Sequence, residues 1–180
     1  MAKNGHRLAI LEMVSDYNLR VAKPDDVNAI EALLQASYPR LMGSAYQKAL
    51  LIPALKLMTR ANPALLASGT YYLAESHSGL VVGCGGWTPA RPGTNTVEPG
   101  LGHIRHFATH PDWTRRGIGR AIYRLCEITA RSAGVNSFEC YSSLNAESFY
   151  SALGFKSIRT IAIDLAPGVV LPATLMRRKL

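Results

Sequence analysis

Residues 101–134 contain the stretch of this chain best suited to hold a polyphosphate. An apolar pattern, Leu101-Gly-His-Ile-Arg-His-Phe-Ala-Thr109, leads through His110-Pro-Asp-Trp-Thr-Arg-Arg116 into a helix that opens at Gly117 and Gly119. The first backbone N–H groups of a helix have no intrahelical acceptor and sit at the positive end of its dipole, so one anion can take several of them at once. Glycine lets the anion approach the main chain, and Arg115, Arg116 and Arg120 add positive charge. The expected anion cradle is therefore Arg115, Arg116, Gly117, Ile118, Gly119 and Arg120, acting chiefly through their amides.

A second motif follows one strand later: Asn145-Ala-Glu-Ser-Phe149-Tyr150-Ser-Ala-Leu-Gly154-Phe155, a short helix with Asn145 at its N-cap and Gly154 at its end. In this order the two motifs resemble those of the GCN5-related N-acetyltransferases. In that superfamily Gln/Arg-x-x-Gly-x-Gly/Ala binds the pyrophosphate of acetyl-CoA, and Asn-x-x-Ala/Ser-x-x-Phe-Tyr-x-x-x-Gly-Phe follows it. Gly117 and Gly119 match the first pattern; Asn145, Phe149, Tyr150, Gly154 and Phe155 match the second. Thr114 stands where the family usually has Gln or Arg, but main-chain amides do not depend on that side chain. The resemblance spans about Tyr17 to the last strand. It implies a single acetyltransferase domain over 17–180 behind an N-terminal extension of residues 1–16.

The resemblance also implies chemistry. Acetyl-CoA is the expected co-substrate, and the expected reaction is direct attack of a primary amine on the thioester in a ternary complex. Such a transfer needs alignment, an amine stripped of its extra proton, and help for the oxygen and sulfur that gain charge. Tyr150 corresponds to the family's tyrosine that protonates the departing thiolate. Asn145 and Phe149 belong with the cofactor contacts, and Phe149 with Ala152 and Leu153 reads as a buried stripe that turns Tyr150 elsewhere. Backbone groups of Phe107, Ala108 and Thr109 are expected to meet the thioester carbonyl, where the family splays two parallel strands apart. His103 occupies the place of the family's usual carboxylate base, with Glu75 or a water chain as alternatives. Tyr38, Tyr46, Trp87, Arg105 and the loop 89–100 are candidates for the acceptor wall. The acceptor expected is a small-molecule amine. A protein N-terminus or lysine, or a non-catalytic acyl-CoA-binding module, are the other readings of the same motifs.

Composition is consistent with this. At 180 residues and 48% hydrophobic, the chain can bury one substantial core. A net charge of +8 suits a polyanionic ligand, and the scattered Lys and Arg form no basic-aromatic run typical of nucleic-acid binding, so no nucleic-acid partner is expected. Cys84, Cys126 and Cys140 are odd in number and widely spaced, which argues against a disulfide framework and against zinc. His103 and His106 fall on opposite faces of a regular strand, so no metal is expected there either. Without a membrane-length apolar run or a signal-peptide pattern, the sequence reads as cytoplasmic, with no membrane partner and a homodimer through the final hairpin left open. A dinucleotide-binding turn is disfavoured because Ile122 takes the third small position, and a P-loop because no Gly-Lys-Ser/Thr follows.

The elements that must position these groups are legible in outline. Strands are expected at 17–23, 70–75, 80–87, 101–109, 137–142, 158–165 and 169–177; helices begin at Pro24, cover 44–57 with Pro53 kinking or dividing them, form a turn at 62–69, and run over 117–133 and from Asn145. On the helix 117–133, Ile118, Ala121, Ile122, Leu125 and Ile128 form the expected apolar face. This order predicts an α/β fold: a mixed, mostly antiparallel central sheet flanked by helices on both faces.

Overall fold

The computed structural model describes residues 15–180, so the expected N-terminal extension up to residue 14 lies outside the described residues. The strands are β1 (Tyr17–Val21), β2 (Tyr71–Ser76), β3 (Val81–Thr88), β4 (Leu101–Thr109), β5 (Ser137–Ser143), β6 (Lys156–Ala166) and β7 (Val169–Lys179). The helices are α1 (Val27–Met42), α2 (Lys48–Met58), α3 (Pro63–Leu66), α4 (Ile118–Ser132) and α5 (Glu147–Ala152). Pro53 lies inside α2 without dividing it. The seven strands form one sheet in the order β1-β2-β3-β4-β5-β7-β6, and every neighbouring pair is antiparallel except β4 with β5. This is the mixed, mostly antiparallel α/β fold expected of the acyl-CoA N-acyltransferases.

The sheet's two faces are covered differently. On one, α4 buries Ile118, Ile122, Tyr123, Cys126 and Ala130 against Tyr72, Val82, Trp87, Ile104 and Phe138. The buried stripe is rotated from the expected one: Ile128 is 60% exposed, because the sheet takes Tyr123 and Cys126 instead. The Tyr123 hydroxyl remains satisfied, accepting from Arg178 Nη1 at 2.9 Å. On the opposite face α1 sets Ile30, Leu33 and Leu34 against Tyr71, Leu73, Cys84 and Ala108. Beside it α2 sets Leu51 and Ala54 against Leu171.

Two irregularities in the middle of the sheet shape the site. β4 and β5 pair only at Leu101–Ser137, Gly102–Phe138 and His103–Glu139, and beyond that rung the two parallel strands part. From Cys84–Ala108 to Gly86–Arg105, β4 also uses one residue more than β3, a bulge at which His106 takes a left-handed φ of 49°. Ile104 and Phe107, three apart, both pack toward α4, so regular alternation does not continue across this point. The expectation that His103 and His106 face opposite ways rested on unbroken alternation, and the bulge removes it. Among the described residues no group of three or more His, Cys, Asp or Glu side chains could hold a metal ion, and no helix is long and apolar enough to cross a membrane.

Candidate active site

The split between β4 and β5 opens toward the turn that precedes α4. In that turn Arg115 and Gly117 both take left-handed backbone, with φ of 65° and 77°. Two such residues separated by one curl the chain so that successive N–H groups converge. Among the described residues, none of the six main-chain N–H groups from Arg115 to Arg120 donates to an acceptor in the chain; the first helical bond is Ala121 N to Gly117 O at 2.9 Å. The side chains of Arg115, Arg116 and Arg120 are exposed, whereas that of Ile118 is buried in the core and anchors the turn. Arg116 stacks 4.5 Å above the Trp113 ring and forms an exposed ion pair with Asp16 at 3.3 Å. Thr114 donates its hydroxyl to Pro111 O at 3.1 Å, a bond within the turn.

Gly119 has a packing reason as well. A Cβ there would lie 3.0 Å from Cε2 and Cζ of Phe149, which lets α5 sit close beside the start of α4. Gly119→Val is expected to force these apart and lower stability by about 1–3 kcal/mol, read by urea denaturation.

The second motif is arranged differently from the sequence expectation. Leu144–Ala146 form a 3-10 turn, and the residue capping α5 is Ala146, not Asn145. Asn145 is thus freed from capping, and its Oδ1 is buried with no hydrogen-bond partner. The buried stripe is also shifted, keeping Leu153 of the expected set but adding Tyr150. Tyr150 and Leu153 are buried, Phe149 is half-buried and Ala152 is exposed, because α5 turns Tyr150 into the aromatic cluster at the split. There its ring meets Phe149, Phe155 and Phe107 at centroid distances of 5.1, 5.5 and 6.3 Å. Burial pushes the Tyr150 phenol well above its ordinary value of 10, so it keeps its proton at neutral pH, and its hydroxyl makes no hydrogen bond within the described residues.

Of the residues expected to meet the thioester carbonyl, Phe107 and Ala108 lie just past the bulge and Thr109 ends β4. The bulge is held from below: the Tyr71 hydroxyl donates to His106 O at 3.0 Å, and Tyr38 on α1 donates to Phe107 O at 3.4 Å. Burial, with Arg105 alongside, pushes the His106 imidazole down to about 4. The unfolded chain takes up this proton near pH 6.5 and the folded chain near 4. Its stabilisation is therefore complete above pH 6.5 and is lost as pH falls from about 6.5 to 4, about 3 kcal/mol in all. His106→Asn, which tolerates the left-handed backbone, is expected to flatten that dependence when urea midpoints at pH 7 and 4.5 are compared.

The remaining candidates divide. Glu75 is removed from the site: it lies on β2 opposite Asn18, and its Oε2 accepts from Arg20 Nε at 2.8 Å in a cluster with Asp26. Trp87 is not on the acceptor face either, since its indole packs toward α4 and donates to Thr129 Oγ1 at 2.9 Å. Arg105 donates to Thr88 Oγ1 at 3.0 Å, half-buried. Tyr46 bridges the first helices to the second motif by accepting from Leu144 N at 2.8 Å and donating to Pro172 O at 2.9 Å. His103 is 2% exposed, and burial lowers its pKa against the pull of Glu139. The three cysteines are buried and free, and desolvation raises their thiols, Cys84 to about 12, so none is an activated nucleophile. Sequence reasoning did not single out Glu139, a 1% exposed carboxylate opposite His103; the loop 89–100, a candidate for the acceptor wall, supplies Arg91 and Thr94 to a cavity of about 720 Å³ whose other bounds include Tyr141, Arg159, Ile163 and Leu175, none of them expected there. Arg91 and Tyr141 place that cavity beside Glu139, on the sheet face away from α4.

Comparison with known proteins decides the family. The profile of the acetyltransferase (GNAT) domain matches residues 67–157, half of the chain and the part that holds both motifs. This chain belongs to the GNAT acetyltransferases. Similar solved structures include a GCN5-related N-acetyltransferase from Rhodopseudomonas palustris, with 22% identity, coverage of 92% of this chain and 97% of the other, and a TM-score of 0.73. The PaiA N-acetyltransferase of Thermoplasma acidophilum, solved with coenzyme A, has 14% identity, coverage of 91% and 99%, and a TM-score of 0.69. Rv2747 of Mycobacterium tuberculosis, solved with CoA and NLQ, has 23% identity, coverage of 91% and 99%, and a TM-score of 0.60. At these identities the likeness concerns the GNAT fold. A search of curated protein sequences finds no match.

Proposed function

We propose that this GNAT protein is an acetyl-CoA-dependent N-acetyltransferase that passes the acetyl group directly to a primary amine, with a small molecule as acceptor. The observation that carries the reading is the row of unengaged amides from Arg115 to Arg120 at the mouth of the β4–β5 split. The residues present fit the cofactor. The cradle matches a diphosphate, the orphaned Asn145 Oδ1 matches an amide N–H of the pantetheine arm, and the diverging edges of β4 and β5 can receive an extended amide chain as a strand. When bound, acetyl-CoA supplies an activated acyl group on a thiol leaving group.

The chain's own residues supply the rest. The amides of Arg115–Arg120 fix the polar end of the cofactor; Gly117, with open space where a Cβ would stand, lets it approach, and Gly119 makes room for Phe149, which flanks it. Backbone N–H groups at Phe107–Thr109 stabilise charge gathering on the acyl oxygen, a role supported by the hydrogen bonds from Tyr71 and Tyr38 that brace the bulge. Tyr150 holds a proton in an apolar pocket and gives it to the departing sulfur. Burial raises the proton affinity of phenolate and thiolate together, so it does not by itself oppose that transfer. The cavity at Arg91 and Tyr141 is sized for a small amine.

The test combines calorimetric titration with acetyl-CoA and a thiol-release assay over 2-phenylethylamine, spermidine, L-glutamate, and peptides with a free N-terminus or lysine. Saturable binding with amine-dependent thiol release is the expected result. Binding without release over the whole panel would favour an acyl-CoA-binding module, release with peptides alone a protein acceptor, and no binding of any CoA species would end the proposal.

A further inference from the structure

The rung at which β4 and β5 part is occupied by two buried titratable side chains, His103 and Glu139, at 2% and 1% exposure. Neighbouring Ile104 and Phe138 face α4, so these two face the other way, behind Arg91, which forms part of the cavity wall and lies 3.7 Å from Glu139. The Glu139 carboxylate is used unevenly. Its Oε1 accepts from Arg177 on β7, through Nε at 3.2 Å and also through Nη2. Its Oε2 has no hydrogen bond and lies 3.7 Å from His103 Nδ1 and 3.7 Å from an Arg91 nitrogen. Arg91 comes from the loop after β3 and is also paired with Glu98 of that loop. At the far side of the imidazole, His103 Nε2 is likewise buried and unpartnered. Two orphaned polar atoms on one closing rung are unusual, since buried polar groups are nearly always paired.

We propose that Glu139 is the positioning residue of a buried proton-accepting pair. Its carboxylate holds His103 with Nδ1 protonated, which leaves Nε2 as the lone pair that takes the amine's proton. The proposal rests on the transferase reading. A neutral imidazole has one N–H and one lone pair, and a carboxylate beside Nδ1 favours the N–H there and repels a lone pair. The proton inventory closes. As the nitrogen–carbon bond forms and the carbon–sulfur bond breaks, the amine's proton passes to Nε2, and the electron pair leaves on sulfur, which takes the Tyr150 proton. His103 then releases its proton, and the Tyr150 phenolate regains one, to and from solvent. The imidazolium formed in between faces Glu139, with Arg91 and Glu98 from the loop, Arg105 on its own strand and Arg177 beyond the carboxylate as the other charged neighbours. Replacing Glu139 by a neutral isostere removes the one negative charge on the rung and must lower the proton affinity of His103.

The test reads His103 directly, by long-range ¹H–¹⁵N spectra of the full chain labelled at histidine, with the His103 signals assigned by their loss in His103→Gln. The expected result is an Nδ1–H ring in the wild type and, in Glu139→Gln, a ring pKa lower by about one unit. The acid limb of kcat/KM for the amine of the panel that is turned over should fall by the same amount, with the KM for acetyl-CoA unchanged. An Nε2–H ring in the wild type, or an acid limb that Glu139→Gln does not move, would overturn the proposal. The tautomer is read on the wild-type chain, so it is decisive even if Glu139→Gln does not fold. Loss of the transferase reading would show separately, as absent thiol release beside an Nδ1–H ring.

Discussion

Gly117→Glu is expected to abolish acetyl-CoA binding, with the dissociation constant rising by at least about three orders of magnitude in calorimetric titration. Two effects act at that position. Its φ of 77° is one that a residue with a Cβ adopts at a cost of about 1–2 kcal/mol, which loosens the turn and the amides it aims. The larger effect is charge. Nothing lies within 4 Å of a Cβ at Gly117, so the new carboxylate enters open space among the unengaged N–H groups and either takes them itself or repels the incoming diphosphate. Two like charges 4 Å apart near a protein surface repel by about 4 kcal/mol, and each 1.4 kcal/mol is tenfold in affinity. Gly117→Gln carries the same backbone strain without the charge and should retain much more affinity. Equal losses in the two variants would show that turn geometry, not anion recognition, governs the site. Undiminished binding in Gly117→Glu would remove the cradle from the cofactor's path.

Tyr150→Phe is expected to lower kcat about 100-fold while leaving acetyl-CoA affinity and stability nearly unchanged, the scale of losing a positioned general acid. The separation follows from the geometry. The ring sits among Phe107, Phe149 and Phe155, and phenylalanine preserves those contacts. The hydroxyl makes no bond within the described residues, so its removal leaves no chain donor or acceptor stranded. Steady-state rates at saturating acetyl-CoA, set beside calorimetric affinity and the urea midpoint, distinguish the cases. An unchanged kcat would remove Tyr150 from the reaction, and a loss of affinity or stability of comparable size would make it a packing residue.

The sequence displayed what is local. Gly117 and Gly119 announced a tight turn into a helix, and alternation with Gly and Pro punctuation placed β4 at 101–109, as in the structure. What it hid depends on distant partners. The buried stripe of α4 could not be centred from periodicity alone, because Tyr123 and Cys126 qualify for the interior only when Phe138 and Phe155 lie beneath them. Asn145 read as a helix cap because Asn caps helices often. The intervening 3-10 turn, held through the Leu144 amide by Tyr46 about a hundred residues earlier, shifts the cap to Ala146. Glu139 looked like one polar residue in an alternating strand. Its importance comes from Arg177, Arg91 and His103, which meet it only in the folded sheet. The bulge at His106 had no signal either, since a histidine in left-handed backbone carries no glycine to mark it.

The three rungs that join β4 to β5 are the narrow seam between a four-stranded half of the sheet and a three-stranded half. Each half presents an unstitched strand edge to the other across the gap. A ligand threaded into it would fasten both margins together, so occupancy would tighten the whole molecule like a zip closing. The opening proposed for the guest is also the pairing with the fewest rungs in the sheet.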